Sequence, residues 1–244
     1  MLKPAGVALS ALLPALLLLA GCGSDTAKDD SSGRAAGTCT YRGDGSDTGG
    51  KKVTPPPAKP SVSGSVKASI ATSAGPIGLT LDAATAPCTV NSFVSLAKQG
   101  FFDATPCHRL TSAPTLSVLQ CGDPTGRGNG GPGYAFDDEL TGADALTTDP
   151  AATRQYDAQS GTKTPVKTYP AGTLAMANAG PDTNGSQFFL VYADSTLPAA
   201  YAVFGSIDAA GMKTLAGIAR AGTADGGPDG APKTPVTMTE VTVE

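Results

Sequence analysis

His108 and Arg109 stand side by side in the chain, with Cys107 before them and Gln120 and Cys121 further on. His108 is the only histidine in 244 residues. That count is restrictive, because zinc centres and Ser/His/Asp or Cys/His nucleophilic schemes each need histidine in a set role. No metal is expected. The stretch 122–133, GDPTGRGNGGPG, invites comparison with a phosphate cradle, but a cradle opens a helix whose N-terminal amides face the anion. Here Pro132, Gly133 and Tyr134 follow instead. Asp137, Asp138 and Glu139 could be paired carboxylates for glycoside hydrolysis, yet adjacent acids in a polar stretch read more simply as a solvated face. With 17 Lys and Arg against 21 Asp and Glu, the net charge is −4 and no basic footprint for nucleic acid is present.

The segments that must position these residues begin well inside the chain. After Lys3 an apolar run extends from Val7 to Ala20, the length of a secretion-signal core and short of the roughly 20 residues that span a bilayer. Its end, Leu19-Ala20-Gly21-Cys22, resembles the lipobox of bacterial lipoproteins, which implies cleavage after residue 21 and lipidation of Cys22. Two acyl chains give stable anchoring, so the expected location is the extracytoplasmic face of the bacterial cell membrane. Residues 22–63 are rich in Gly, Ser, Asp, Lys and Pro and poor in large apolar side chains, and are expected to form a disordered tether. Residues 64–244 then form one domain of ordinary size.

Within that domain, Val66, Ala68 and Ile70 alternate with polar neighbours, a Ser73-Ala74-Gly75-Pro76 break follows, and Ile77, Leu79 and Leu81 resume the alternation. This pattern is a β-hairpin with one buried face. Pro87 opens a helix whose stripe is Val90, Phe93, Val94 and Ala97, with Gly100 as its stop. Further strands are expected at Cys107 to Thr111, Leu116 to Cys121, Thr173 to Ala177, Gln187 to Val191, Ala202 to Ile207 and Val236 to Val243. A second helix fits Gly211 to Ala221, capped by Asp208, with Met212, Leu215, Ala216 and Ala219 on one face. About eight strands and two helices predict a mainly β fold, a closed or nearly closed barrel, since closure removes the exposed edges of short strands.

Three strings, Cys107-His108-Arg109, Met176-Ala177-Asn178-Ala179 and Asn184-Gly185-Ser186-Gln187-Phe188-Phe189, occur in that order with Val203-Phe204-Gly205 behind them. Together they resemble the cyclophilin-type peptidyl-prolyl isomerases over nearly all of residues 65–244. The resemblance implies a closed eight-stranded antiparallel β-barrel capped by two α-helices, which agrees with the strand and helix count. It also implies cis/trans rotation about peptide bonds preceding proline, without a cofactor. That bond resists rotation by ~18–20 kcal/mol because the nitrogen lone pair is delocalised. In the twisted state the lone pair localises on nitrogen, so a donor aimed at it favours that state.

The resemblance makes Arg109 the donor and Gln120 the residue that orients it. It puts Phe189 on the floor of a proline pocket walled by Val118 and Leu197, and it brings Ala177, Asn178 and Gln187 to the substrate backbone. Many family members carry a tryptophan and a histidine at the rim; Thr196 and Tyr201 align there, and weak binding of cyclosporin-type ligands is expected. Leu116 is placed to compensate for Ser117, which stands where an aromatic is common. His108, alternating with Arg109 along a strand, is expected to face inward as a packed, hydrogen-bonded residue.

Besides Cys22, the chain has Cys39, Cys88, Cys107 and Cys121. An even number in an exported chain reads as two disulfides, with three connectivities left open. The partners expected are proline-containing peptides, unfolded exported proteins and the membrane, with no nucleic acid and a monomeric state. The alternative function is a proline-peptide-binding module or holdase chaperone with little catalysis.

Overall fold

Alternating apolar and polar residues build most of the molecule. The computed structural model describes residues 37–244. In chain order these form β1 (Tyr41–Gly43), β2 (Ser65–Thr72), β3 (Gly75–Asp82), α1 (Pro87–Lys98), β4 (Thr105–Pro106), β5 (Arg109–Thr111), β6 (Val118–Cys121) and β7 (Tyr134–Phe136). There follow α2 (Thr141–Asp144), α3 (Pro150–Ser160), β8 (Val166–Tyr169), β9 (Thr173–Met176), β10 (Phe188–Val191), β11 (Ser195–Pro198), β12 (Val203–Ile207), α4 (Ala209–Ala221), β13 (Asp229–Gly230) and β14 (Thr237–Val243).

Ten of these strands make one antiparallel sheet, in the order β13-β5-β6-β10-β9-β12-β3-β2-β14-β4. The expected closed, eight-stranded ladder is corrected in detail, while the mainly β, cyclophilin-like fold stands. β4 pairs with β14 and β5 pairs with β6, so residues 105–111 bridge the two ends of a curled sheet through Cys107 and His108. Cys107 N–H donates to the Val236 carbonyl at 2.8 Å, and a Cys107–Cys121 disulfide ties the seam to β6.

Each strand's two faces serve different clusters. Leu110, Leu119, Leu190 and Leu174 lie opposite one another across β5, β6, β10 and β9 and point into the main core. There Phe93 of α1 meets Phe188 and Phe204, each with ring centroids 5.6 Å away. The other face carries a second apolar cluster that includes Val118, Ala175, Phe189 and Val191. Because strand side chains alternate, the same four strands build both the core and the site.

The helices depart from expectation in ways their sequences explain. α1 has the expected stripe, all buried, but Ala86 offers no cap. Glu139 reaches over instead, accepting from the Cys88 and Thr89 amides at 2.9 and 2.8 Å. Asp138 accepts from Asn184 Nδ2 at 2.7 Å and Asp137 pairs with Arg42, so the acidic trio is a set of structural ties rather than a solvated face. In α4 the buried positions are Gly211, Leu215 and Ile218, and Ala216 is exposed. α3 was not foreseen: it has Asp149, Pro150 and Gly161 as start and stop but buries no residue, so it shows no apolar stripe.

The largest departure concerns the expected tether. Residues 1–36, including Cys22, lie outside the described residues. From Thr38 onward the chain is a strap packed on the domain. Cys39 is bonded to Cys88 of α1, and Tyr41 packs edge-on against Tyr134 at 5.4 Å while donating to the Cys88 carbonyl. Asn91, almost fully buried, accepts from the Ser61 amide and donates to the Pro57 carbonyl and the Tyr41 hydroxyl. Lys51 Nζ donates to the carbonyls of Phe101 and Asp103. A segment poor in apolar residues is thus held by a covalent bond, one aromatic ring and side chains on α1 that satisfy its backbone.

Candidate functional site

Register places the site. Arg109 of β5 lies opposite Gln120 of β6, Gln120 opposite Phe189 of β10, and Phe189 opposite Ala175 of β9. Directly paired residues share a face, so a cation, an amide and an aromatic ring stand in one row on the outer side of the sheet. A cavity of about 140 Å³ opens over this row, lined by Arg109, Leu116, Val118, Gln120, Ala177, Asn178, Phe189, Leu197 and Tyr201. Phe189, 5% exposed, forms its floor, and the Tyr201 ring meets it edge-on at 5.6 Å. Burial raises the Tyr201 phenol above its usual range, so it remains a neutral donor at physiological pH.

Arg109 is held on two sides. Its Nε and Nη2 donate to Asp229 Oδ1 and Oδ2 at 2.7 and 2.6 Å, and its Nη1 donates to Gln120 Oε1 at 3.1 Å. Three of the five guanidinium N–H groups are thereby used, leaving one each on Nη1 and Nη2. The hydrogen bonds it donates to Asp229 raise the arginine's pKa, and the same contact lowers that of the Asp229 carboxyl. Gln120 Nε2 donates to Gln187 Oε1 at 2.9 Å, and Gln187 Nε2 donates to the carbonyls of Gly128 and Gly130. A continuous chain of bonds therefore runs from Asp229 through Arg109, Gln120 and Gln187 into the glycine-rich loop.

That loop holds an anion of its own. The fully buried Asp123 carboxylate accepts from the Thr125 amide and hydroxyl at 2.7 and 2.8 Å and from the amides of Arg127 and Gly128. These bonds outweigh desolvation and lower its pKa. The amides that a phosphate would need are spent on Asp123. Glycine is required here: a Cβ on Gly130 would fall 2.2 Å from Asp123 Oδ1.

Most residues expected at the site meet there: Arg109, Gln120, Val118, Phe189, Ala177, Asn178, Leu197 and Tyr201, with Leu116 beside them. Asn178 Nδ2 is turned to the Ala200 carbonyl at 2.8 Å, fixing the wall that Asn178 forms. Gln187 is set back: its amide nitrogen is committed to loop carbonyls, and it supports Gln120 rather than lining the slot. Thr196 does not line the slot, because adjacent residues of β11 alternate and Leu197 is the one facing in.

His108 is half-buried against Gly128, not inside the core, and its Nδ1 has no hydrogen-bond partner among the described residues. Its position at the break between β4 and β5 turns it toward the loop. Burial lowers its pKa, with Arg109 adding to the effect and Asp123 opposing it. Asp229 is the residue that sequence reasoning missed. It sits in a turn-rich stretch, GGPDG, and reaches Arg109 only because β13 pairs with β5. The four cysteines adopt one of the three open connectivities, Cys39–Cys88 and Cys107–Cys121.

Residues 67–243 match the family model for cyclophilin type peptidyl-prolyl cis-trans isomerase/CLD. The chain is 55% identical over 179 residues to a probable peptidyl-prolyl cis-trans isomerase B of Mycobacterium tuberculosis, an overlap of 73% of this chain and 54% of that protein. It is 54% identical over 194 residues to the same-named protein of Mycobacterium leprae, covering 79% of this chain and 62% of that one. The chain therefore spans a little over half the length of these curated relatives. Among solved structures, a Cryptosporidium parvum cyclophilin type peptidyl-prolyl cis-trans isomerase superposes with a TM-score of 0.53 at 26% identity, covering 74% of this chain and 98% of that one. A second structure of that protein, in the presence of the dipeptide Ala-Pro, gives 0.52 at 27% identity.

Proposed function

The chain belongs to the cyclophilin-type peptidyl-prolyl cis-trans isomerase family, and on that premise we propose that it catalyses cis/trans isomerisation of X–Pro bonds in exported proteins, tethered outside the cell by a lipid on Cys22. The observation that carries the activity is Arg109, fixed at the edge of a largely apolar slot with two N–H groups unspent. A prolyl ring seated on Phe189 brings its imide nitrogen beside that guanidinium. As the bond twists, the nitrogen becomes a better acceptor and the charged donor binds the twisted state more tightly than either planar isomer. No bond breaks and no proton need move, which suits a site whose neighbouring histidine is held neutral by burial.

Support for export comes from two disulfides, which persist in oxidising compartments, and from the lipobox-like Leu19-Ala20-Gly21-Cys22. The test of activity is magnetisation exchange in a proline peptide with and without the protein. Arg109→Ala is expected to lower kcat/KM at least about tenfold while leaving the fold intact. Unchanged exchange in that variant removes Arg109 from the mechanism. A holdase reading is favoured instead if the peptide binds and the native protein gives no rate enhancement. The test of location is mass spectrometry of the mature N-terminus, expected to be a diacylglyceryl-modified Cys22.

A further inference from the structure

The strand that carries Arg109 is short. β5 has three residues, and its ladder to β6 holds two paired positions, Arg109 with Gln120 and Leu110 with Leu119. On its other edge it meets β13, which has two residues and pairs with Leu110 and Thr111. Arg109 is therefore the terminal residue of the β5–β6 ladder; before it the chain leaves β6, and the Cys107 amide turns to the Val236 carbonyl at 2.8 Å. A two-stranded pairing of this length is weak by itself, and its ends open first. The far end of the loop between the two strands is secured by hydrogen bonds, from the Val118 amide to Thr111 Oγ1 at 3.1 Å and from the Leu116 amide to the Ala113 carbonyl at 3.0 Å. At the Arg109 end the fastening is covalent.

Cys121 directly follows Gln120, and Cys107 precedes Arg109 by two residues, so the Cys107–Cys121 bond crosses between the strands just past the Arg109–Gln120 pair. Side chains alternate along a strand, and while Gln120 faces the slot, both cysteines belong to the main core, 3% and 0% exposed. Asp229 thus grips the guanidinium on the outer face of the sheet, and the disulfide closes the backbone beneath it on the inner face. We propose that Cys107 and Cys121 are a positioning pair for the reaction: their bond clamps the open end of the β5–β6 ladder, so that Arg109 meets the prolyl nitrogen from a fixed backbone. The proposal rests on the isomerase reading and adds two positioning residues to it.

The experiment compares the native full chain with the double variant Cys107→Ala/Cys121→Ala on a proline peptide. The expected result is a fall in kcat of about three- to tenfold with KM held within about twofold, because the apolar slot itself is untouched. A merely structural bond would not give that split. In parallel, exchange of the Arg109 Nε–H with water, followed by NMR, speeds up by a similar factor as its bond to Asp229 opens more often. A folded variant that keeps the native kcat or the native Nε–H exchange, or whose loss lies in KM alone, overturns the proposal. Where the alanine variant does not fold, the same two readings are taken on Cys39→Ser/Cys88→Ser refolded in a dithiol, which leaves Cys107 and Cys121 as thiols of unchanged volume, against its oxidised form. If neither form folds, the bond serves the fold as a whole and the proposal is overturned. Failure of the isomerase reading shows differently: the native protein then gives no acceleration, while Nε–H exchange still reports whether the bond holds Arg109.

Discussion

A donor that must meet a lone pair during a brief twist gains nothing from the encounter if it has first to be brought into position. Arg109 is brought there in the resting protein by Asp229, which takes Nε and Nη2 together, and by Gln120 on the opposite side. The planar fork of guanidinium against carboxylate fixes both direction and distance, which a lysine could not reproduce. Asp229→Ala is therefore expected to lower kcat/KM about three- to tenfold, a modest factor because the pair is exposed to solvent. Asp229→Asn, which retains one acceptor, is expected to fall between. A positioning role predicts that the loss appears mainly in kcat, since the slot that binds proline is untouched. A loss confined to KM, or none, would remove Asp229 from the machinery. Asp229 belongs to a two-residue strand in a turn-rich stretch, and nothing in its local sequence announces a partner on β5.

At the level of elements, the curled sheet and the strap are held by different means, and this difference is measurable. The sheet depends on ladders and on the main apolar core, whereas the strap depends on Cys39–Cys88, Tyr41, bonds to Asn91 and Gln99 and the bonds Lys51 donates to the Phe101 and Asp103 carbonyls. Replacing Cys39 and Cys88 together by serine is expected to cost about 2–4 kcal/mol, from the 49-residue separation that the bond spans. Hydrogen exchange then speeds up in residues 38–63 while β2, β3, β6 and β10 stay protected. Uniform loss of protection across the sheet would show instead that strap and sheet are one cooperative unit. The same contrast explains what was legible beforehand. The hairpin β2–β3, α1, and the row that becomes Arg109, Gln120 and Phe189 carry regular periodicity or a distinctive residue string, so sequence located them. The strap has neither period nor apolar content, and its anchors Asn91 and Cys88 sit on another element. Likewise α3 has caps without a stripe, and β11 shows Thr196 and Leu197 as neighbours without showing which one faces the slot.

For the whole molecule, the single histidine makes the acid response divisible. Burial lowers the pKa of His108, so between the ordinary value near 6.5 and its lower folded value the unfolded chain binds a proton that the native state refuses. Stability is full above about pH 6.5 and falls as the pH drops through that window. Asp123 and Asp229 have lowered values, in the one case from loop hydrogen bonds and in the other from Arg109. Their contribution is full above the ordinary aspartate value near 3.9 and is lost as the pH falls from there through their lower folded values, so its onset lies well below that of the histidine. Two separate acid phases are therefore expected when unfolding free energy is measured by denaturant titration from pH 8 to pH 3. Since no other histidine exists in the chain, His108→Phe is expected to flatten the phase below 6.5 and leave the carboxylate phase in place. A slope between pH 6.5 and 5 that survives in the variant would assign it to raised carboxyl groups elsewhere in the molecule and contradict the burial of His108 against Gly128. Activity is expected to follow a different course, because Arg109 stays charged and Asp229 stays ionised throughout that interval. In the folded protein kcat/KM should thus remain level from pH 8 to 5 even as stability declines.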